Sequence, residues 1–422
     1  MKRLLVLLFA LSVLTSCGNV DSTTTAVSPD ESAGSPDVIS EWNSLTLKMI
    51  TDDNITGEFG LRTLGMLHTA MFDAVNSVKK DYSAYNVEME TSADTSATAA
   101  AAAAAHRILS TLYPQRAALF DELFNADSSA IGDSQEKEDG IALGQAVADK
   151  IIELRSADNS DLAASVPCPD GTAAGEWRRT GGKEPELPGW GAVTPFALSS
   201  GSQFRLDGPP MVGSAEYMEA QNETKMLGGA NSTMRTAEQT IIAKFWAMGI
   251  FNHWNAIARE IAVQQNLNLS QKARLFALLN ITMADAQIST WDMKYHFRLW
   301  RPVSAMQMEA SSPSMAMEAT SMWMPLLMTP PFPEYVSAHS QVSAAAAEII
   351  TRFFGREDFT VTRMSMTEGL EPRTFSGLSS IVEEIGKSRI YGGIHFRFSD
   401  VPAQQNGRQI AAYIYDNFLT LP

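Results

Sequence analysis

Ala99-Ala-Ala-Ala-Ala-Ala-Ala105 decides the fold, because seven consecutive alanines form the strongest intrinsic helix signal of the chain. The run lies within a helix predicted over residues 93–112. Outside it, apolar residues recur at helical intervals, which predicts further helices over 60–78, 141–154 and 237–267. No segment alternates polar and apolar residues over the length of a strand. The sequence therefore predicts an all-α fold built as one large helical bundle domain over residues 39–422.

Composition is typical of a globular protein with a sizeable core: 422 residues, of which 45% are hydrophobic and 19% are charged. The net charge of -16 argues against nucleic acid as a partner, because phosphate contacts need clustered lysine and arginine. A long irregular segment rich in glycine and proline interrupts the helical pattern at about 157–212. A segment of this kind is usually functional or bridges other elements.

The first residues are typical of an export signal, because Lys2 and Arg3 precede an apolar stretch too short to span a membrane. Small residues before Cys17 resemble a bacterial lipoprotein signal that ends at this cysteine, although an ordinary secretory signal is the alternative. We therefore expect an exported protein attached to an envelope membrane, the outer membrane or cell surface, through an N-terminal lipid only. Residues 18–38 are predicted to form a flexible tether.

Lys294 and Arg301 belong to the first of three short segments in the C-terminal third that combine cations with histidines. They are seven residues apart, so at about 100° per residue a helix would point both in nearly the same direction. Pro302 disfavours helical backbone at Arg301 and is expected to place it at a helix end. The aromatic neighbours Trp291 and Trp300 indicate a buried setting rather than a solvated basic face.

The second segment, Ser337-Ala338-His339, follows two prolines and precedes an alanine-rich stretch, which predicts a helix with Ser337 as its N-cap. The free N–H groups and positive dipole end of such a helix favour an anion. A histidine in the first turn reaches the same anion as a proton donor. Taken alone, however, His339 would more often be a capping or packing residue.

The third segment holds Arg389 and His395 on either side of Gly392-Gly393. The glycine pair predicts the end of the helix that carries Arg389, so that a loop brings His395 back beside it. Together the three segments supply cations, a helix N-terminus and two histidines. This set fits an oxyanion with several negative charges. Zinc is disfavoured, because no histidine pair has the i, i+4 spacing of a zinc-binding helix.

The three segments closely resemble the signature K-x6-R-P, P-S-G-H and S-R-x5-H, which vanadium-dependent haloperoxidases share with type 2 phosphatidic acid phosphatases. The first and third parts match completely, whereas the second has Val336 for proline and Ala338 for glycine. The wider context over residues 39–421 is similar to the secreted bacterial branch of the haloperoxidases. The resemblance implies an oxidoreductase that oxidises a halide, iodide or bromide rather than chloride, with hydrogen peroxide on a vanadate cofactor.

The same resemblance implies roles for individual residues. Vanadate oxygens would be bound by Lys294, Arg301, Ser337, the Ala338 backbone N–H and Arg389. His395 would bind vanadium directly, and His339 would be the acid–base group for peroxide. Trp291 and Phe332 would lie near the halide approach. Among the remaining histidines, His296 is expected to line the pocket.

Two other functions stay open at this point. An acid phosphatase would hold isosteric phosphate in the same site, with His395 as nucleophile and His339 as the proton donor to the leaving group. A non-catalytic surface lipoprotein would bind anions or glycans without turnover. The sequence leaves the oligomeric state open, a homodimer included.

Overall fold

Residues 37–310 and 323–422 are described by the computed structural model of the chain. The expected signal segment, Cys17 and nearly all of the expected tether lie outside these residues. The first helix begins at Val38, next to the start predicted for the helical domain. None of the described helices is both long enough and apolar enough to cross a membrane.

Thirteen α-helices run through the described residues and confirm the all-α prediction. They are α1 (Val38–Asp52), α2 (Gly57–Lys79), α3 (Ala97–Leu112), α4 (Ala117–Ile131), α5 (Gln135–Arg155), α6 (Ala215–Gly228), α7 (Ala237–Phe245), α8 (Ile250–Gln264), α9 (Leu269–Phe297), α10 (Pro302–Ala310), α11 (Ala338–Phe354), α12 (Leu378–Tyr391) and α13 (Arg397–Asn417). Two three-residue strands, β1 (Val361–Arg363) and β2 (Arg373–Phe375), pair antiparallel, which the sequence did not predict.

The alanine run forms the middle of α3, and all seven of its side chains are buried. Their small size lets α5 approach closely: a methyl carbon added at Gly144 would lie 2.1 Å from the Ala100 carbonyl oxygen. Helix α2 packs against α3 and α9, and α9 in turn packs against α11 and α13. The long helix α9 therefore runs through the centre of the domain, and its C-terminal turns carry Trp291 and Lys294.

Two helix predictions need correction. The helix expected over 237–267 is interrupted between α7 and α8, where Gly249 has a φ of +71°. Helix α9 ends at Phe297, because Arg298 adopts a left-handed conformation. Arg301 therefore lies in the connection before α10 and does not share a helix with Lys294, so the helical-spacing argument for this pair is wrong. Pro302 is the first residue of α10.

The irregular segment lies against the elements that carry the three sequence motifs. The Trp177 N–H donates to the Arg298 carbonyl at 2.7 Å, and the Glu186 N–H donates to the Pro331 carbonyl at 3.0 Å. The indole of Trp190 is buried in an apolar cluster that includes Trp291. This segment thus covers the end of α9 and the approach to α11.

Candidate active site

Lys294 lies fully buried in the last turns of α9, where its ammonium is surrounded by carbonyl oxygens. It donates to the carbonyls of Pro333 at 3.1 Å, Glu334 at 3.0 Å and Val336 at 2.5 Å. These acceptors use all three N–H bonds of an ammonium. Burial and the Arg301 charge lower the pKa of Lys294, whereas three carbonyl acceptors favour the charged form, which alone has three N–H bonds to donate. Lys294 therefore ties α9 to the segment before α11 and brings its charge, rather than a free N–H, to this region.

Arg301 is fully buried, and its guanidinium links all three sequence motifs. Its Nε donates to the Phe332 carbonyl at 2.8 Å and its Nη1 to the Ile394 carbonyl at 2.8 Å. Nη1 also lies 3.2 Å from His395 Nε2. Nη2 is buried and has no hydrogen-bond partner among the described residues.

Ser337 is the N-cap of α11, as predicted, and its hydroxyl accepts from the Ser340 N–H. Its own N–H donates to the Ser399 carbonyl at 3.0 Å, which fixes the start of α11 against α13. Ala338 is the first helical residue. In the first turn of a helix the N–H groups lack intrahelical acceptors, so those of Ala338 and His339 remain available to an anion.

The break between α7 and α8 supplies three consecutive carbonyls to the site. The Trp246 carbonyl accepts from Arg389 Nη2 at 2.8 Å. The Ala247 carbonyl faces the His339 ring and the Met248 carbonyl faces the His253 ring, and each carbonyl raises the pKa of its histidine. His339 Nε2 is buried and has no hydrogen-bond partner among the residues that the structure describes.

His395 lies in the loop between α12 and α13, as the glycine pair predicted, and its ring is held at both nitrogens. Nδ1 lies 2.9 Å from Glu334 Oε1, whereas Nε2 faces Arg301. Arg389, near the end of α12, is buried and donates from Nε to the Ser388 hydroxyl at 3.0 Å. The three motif segments thus meet around one site.

Burial is the main cause of the electrostatic character of the site. It lowers the pKa of Arg301 to about 10 and, with the Arg301 charge added, lowers the pKa of Arg389 to about 9. Burial and neighbouring cations hold the pKa of His339 and of His395 well below the usual histidine value. Both histidines are therefore neutral at neutral pH, while both arginines remain charged.

One side of the site is apolar. The ring centres of Trp291 and Phe332 are 4.8 Å apart. The Arg301 guanidinium lies 4.8 Å from the centre of the Phe332 ring. The Lys294 ammonium lies 5.1 Å from the same ring. Ala338 packs against the apolar cluster that contains Trp291. The residues predicted near the halide approach are therefore next to the cations.

A multiply charged oxyanion fits these groups. Within the described part of the chain, Arg301 Nη2 and His339 Nε2 are buried polar atoms without partners, and a buried unsatisfied group costs about 1–3 kcal/mol. An anion oxygen near Arg301 Nη2, and an ionisable proton on the ligand near His339 Nε2, would satisfy both atoms. Vanadate and phosphate have the same shape and suit this donor set equally.

Most of the predicted site residues therefore lie together, with one exception. His296 was expected to line the pocket, but its side chain is exposed and packs edge-on against Phe297 at 4.8 Å. No role was predicted from the sequence for Glu334 or for the break at Trp246–Gly249. The available signal for Glu334 was an acidic residue within an apolar stretch. The available signal for the break was a glycine within an amphipathic pattern.

The C-terminal part of the chain is similar to known proteins. Residues 274–421 match the family model described as the VCPO second helical-bundle domain. Vanadium chloroperoxidase from Curvularia inaequalis is 25% identical over 282 residues, which make up 51% of this chain and 46% of that protein. The chain thus aligns with less than half the length of this curated relative.

Two solved structures share the fold over most of their length. A bacterial vanadium-dependent iodoperoxidase has a TM-score of 0.78 at 24% identity, with 92% of this chain and 98% of that chain covered. A holo-type bacterial vanadium-dependent chloroperoxidase has a TM-score of 0.68 at 16% identity, with 86% and 92% covered. The C-terminal part of the chain thus matches the VCPO second helical-bundle domain, and the chain shares the fold of these two structures.

Proposed function

We propose that the chain is a vanadate-dependent haloperoxidase that oxidises iodide or bromide with hydrogen peroxide. The observation that carries the proposal is a pair of buried atoms, Arg301 Nη2 and His339 Nε2, which lie between desolvated cations and have no partner in residues 37–310 and 323–422. Such an arrangement is costly by itself and becomes favourable when an anion fills it. The vanadium iodoperoxidase and chloroperoxidases among the similar proteins support vanadate as this anion.

The chemistry of the cofactor and the work of the protein are distinct. When bound, vanadate supplies a Lewis-acid centre that activates hydrogen peroxide toward a halide. Arg301 and Arg389 hold the anion oxygens, and Lys294 adds positive charge through the segment that it anchors. The N–H groups of Ala338 and His339 bind oxygens at the start of α11, and Ser337 shapes that start.

The two histidines have different roles in this proposal. His395 offers the Nε2 lone pair as the ligand to the metal. His339 accepts a proton at Nε2, which is buried and has no partner among the described residues, and burial holds the pKa of the ring low. A neutral histidine in this state is the form that a general base requires. The apolar surface of Trp291 and Phe332 leaves a place for a large, polarisable halide beside the cations.

An acid phosphatase is the second candidate, because the same Nε2 lone pair of His395 would suit a nucleophile. The two functions predict opposite effects of one compound. Vanadate would be required for halide oxidation, whereas it would inhibit phosphate ester hydrolysis by occupying the phosphoryl site. One protein preparation can therefore be tested for both activities.

The experiment uses protein freed of phosphate and then loaded with orthovanadate. We expect iodide and bromide oxidation with hydrogen peroxide only after loading, suppressed by excess inorganic phosphate. His395→Ala should lose the activity, while His106→Ala, a histidine that bonds Asp121 away from the site, should keep it. Halide oxidation without vanadate would contradict the proposal. Ester hydrolysis that vanadate inhibits would establish the phosphatase, and anion binding without either activity would establish a binding protein.

The location of the protein is a separate proposal. We propose export and attachment to an envelope membrane through a lipid on Cys17, as the signal-like N-terminus suggests. Labelled fatty acid should be incorporated by the expressed chain and not by Cys17→Ala. Incorporation that persists in the variant would exclude Cys17 as the attachment site.

A further inference from the structure

The contact between Glu334 and His395 explains how the site keeps a ring nitrogen available. We propose that Glu334 is a positioning residue that helps to hold His395 in the Nδ1–H tautomer. Nε2 then keeps the lone pair that the bound anion would use and that Arg301 Nη1 occupies in this structure. The use of this lone pair by an anion rests on the proposed function. The tautomer itself is a property of the protein without any ligand.

The contacts of His395 assign its proton. An arginine can only donate hydrogen bonds, so the 3.2 Å approach of Arg301 Nη1 requires His395 Nε2 to be an acceptor. In the neutral ring the hydrogen is then on Nδ1. That atom lies 2.9 Å from Glu334 Oε1, an acceptor of the right kind. The hydrogen bond at one ring nitrogen thereby determines what the other nitrogen can do.

Glu334 is itself held so that it remains an acceptor. Its Oε1 also accepts from the Phe396 N–H at 2.9 Å, and its Oε2 accepts from the Ser399 hydroxyl at 2.5 Å. Its backbone N–H donates to the Leu299 carbonyl, and its carbonyl accepts from Lys294. The side chain is fully buried. Glu334 therefore has a single orientation, fixed by all three motif segments.

Loss of this acceptor would change the ring and not only the packing. Without Glu334 the hydrogen on Nδ1 has no acceptor at that position, and only the approach of Arg301 Nη1 to Nε2 still disfavours the alternative tautomer. In that tautomer Nε2 carries the hydrogen and has no lone pair for the anion. A ligand that needs the lone pair should suffer more than one that needs only hydrogen bonds.

The first measurement is the tautomer of His395 in the protein without ligand, from nitrogen-15 NMR with the signals assigned by their loss in His395→Ala. We expect Nδ1–H in the wild type, in Glu334→Gln, which keeps an oxygen acceptor, and in Ser399→Ala, which removes only the other carboxylate bond. Glu334→Ala should lower the share of this tautomer, because only Arg301 then favours it. Wild-type protein with the hydrogen on Nε2 would overturn the proposal, whether or not Glu334→Ala folds.

The second measurement compares orthovanadate with inorganic phosphate by calorimetry. Changes next to metal ligands commonly weaken metal affinity by about 10- to 100-fold. We expect Glu334→Ala to weaken vanadate binding in that range and phosphate binding clearly less. Equal losses for both anions would mean that Glu334 only supports the fold. A wild type that binds vanadate no better than phosphate would count against the proposed function, while the tautomer result still decides the role of Glu334.

Discussion

Replacement of Arg301 by lysine tests the site most directly, because it keeps the charge and changes only the geometry. The guanidinium donates from Nε and Nη1 to the carbonyls of Phe332 and Ile394, and its Nη2 is buried without a partner among the residues described by the structure. A lysine has one nitrogen at the end of a flexible chain. It cannot reach both carbonyls and the anion at the same time.

The expected losses of anion affinity and of stability follow from the hydrogen bonds that the substitution removes. A hydrogen bond to a charged group contributes about 1.5–3 kcal/mol, so loss of the Nη2 bond should weaken anion binding by roughly 10- to 100-fold. One carbonyl also loses its donor, which should lower the free energy of unfolding by about 1–3 kcal/mol. Because the positive charge remains, the loss of affinity would reflect the direction of the hydrogen bonds and not long-range attraction.

The assay is calorimetric titration with orthovanadate and with phosphate, together with thermal melting. Arg235→Lys is the matched control, because Arg235 also donates to two carbonyls, Leu227 at 2.6 Å and Gly229 at 2.7 Å, without being placed at the anion. It should lower the melting temperature and leave both affinities unchanged. Arg301→Lys with affinities within twofold of the wild type would refute the assignment of Nη2 to the anion.

Three further predictions follow from individual side chains. His395→Ala should abolish vanadate retention, whereas His339→Ala should retain vanadate and lower turnover by about 100- to 10,000-fold; equal retention in both variants would contradict the division of roles. Ala338→Gly keeps the backbone donor, so anion affinity should stay within threefold while stability falls by up to about 1 kcal/mol; a tenfold change in affinity would mean that the methyl group shapes the site. Burial and the Arg259 charge lower the pKa of His68 to about 3. Between pH 6.5 and 3 the unfolded chain therefore binds a proton that the native chain does not, and stability is lost as the pH falls. From pH 7 to 5 this loss is about 2 kcal/mol, which His68→Gln should remove in urea denaturation; an unchanged pH dependence would contradict it.

Local signals were sufficient for much of the fold. The alanine run predicted α3, Ser337 was recognised as the N-cap of α11, and Gly392-Gly393 predicted the end of α12. Each feature depends on backbone preferences and hydrogen bonds within a few residues. Such preferences act in the same way before and after the chain is packed, so they can be derived from neighbouring residues.

The break after α7 was missed, because the apolar periodicity of 237–267 continues across it. The Trp246 ring packs against the His253 ring, with 4.9 Å between the ring centres. This tertiary contact places the intervening carbonyls opposite Arg389 and His339. The position of Arg301 was missed for a related reason. Spacing along an assumed helix cannot reveal that α9 ends at Phe297.

The amino-acid sequence alone determined the helical class of the protein, the three segments that carry its cations and histidines, and the residue types suited to a charged oxyanion. Tertiary structure decided which atoms are free: Lys294 is saturated by carbonyls, Arg301 keeps Nη2, and Glu334 faces His395. The reason is that helix formation depends on contacts a few residues apart. The direction of a buried donor depends on partners tens to hundreds of residues away, which only the packed core brings within hydrogen-bonding distance.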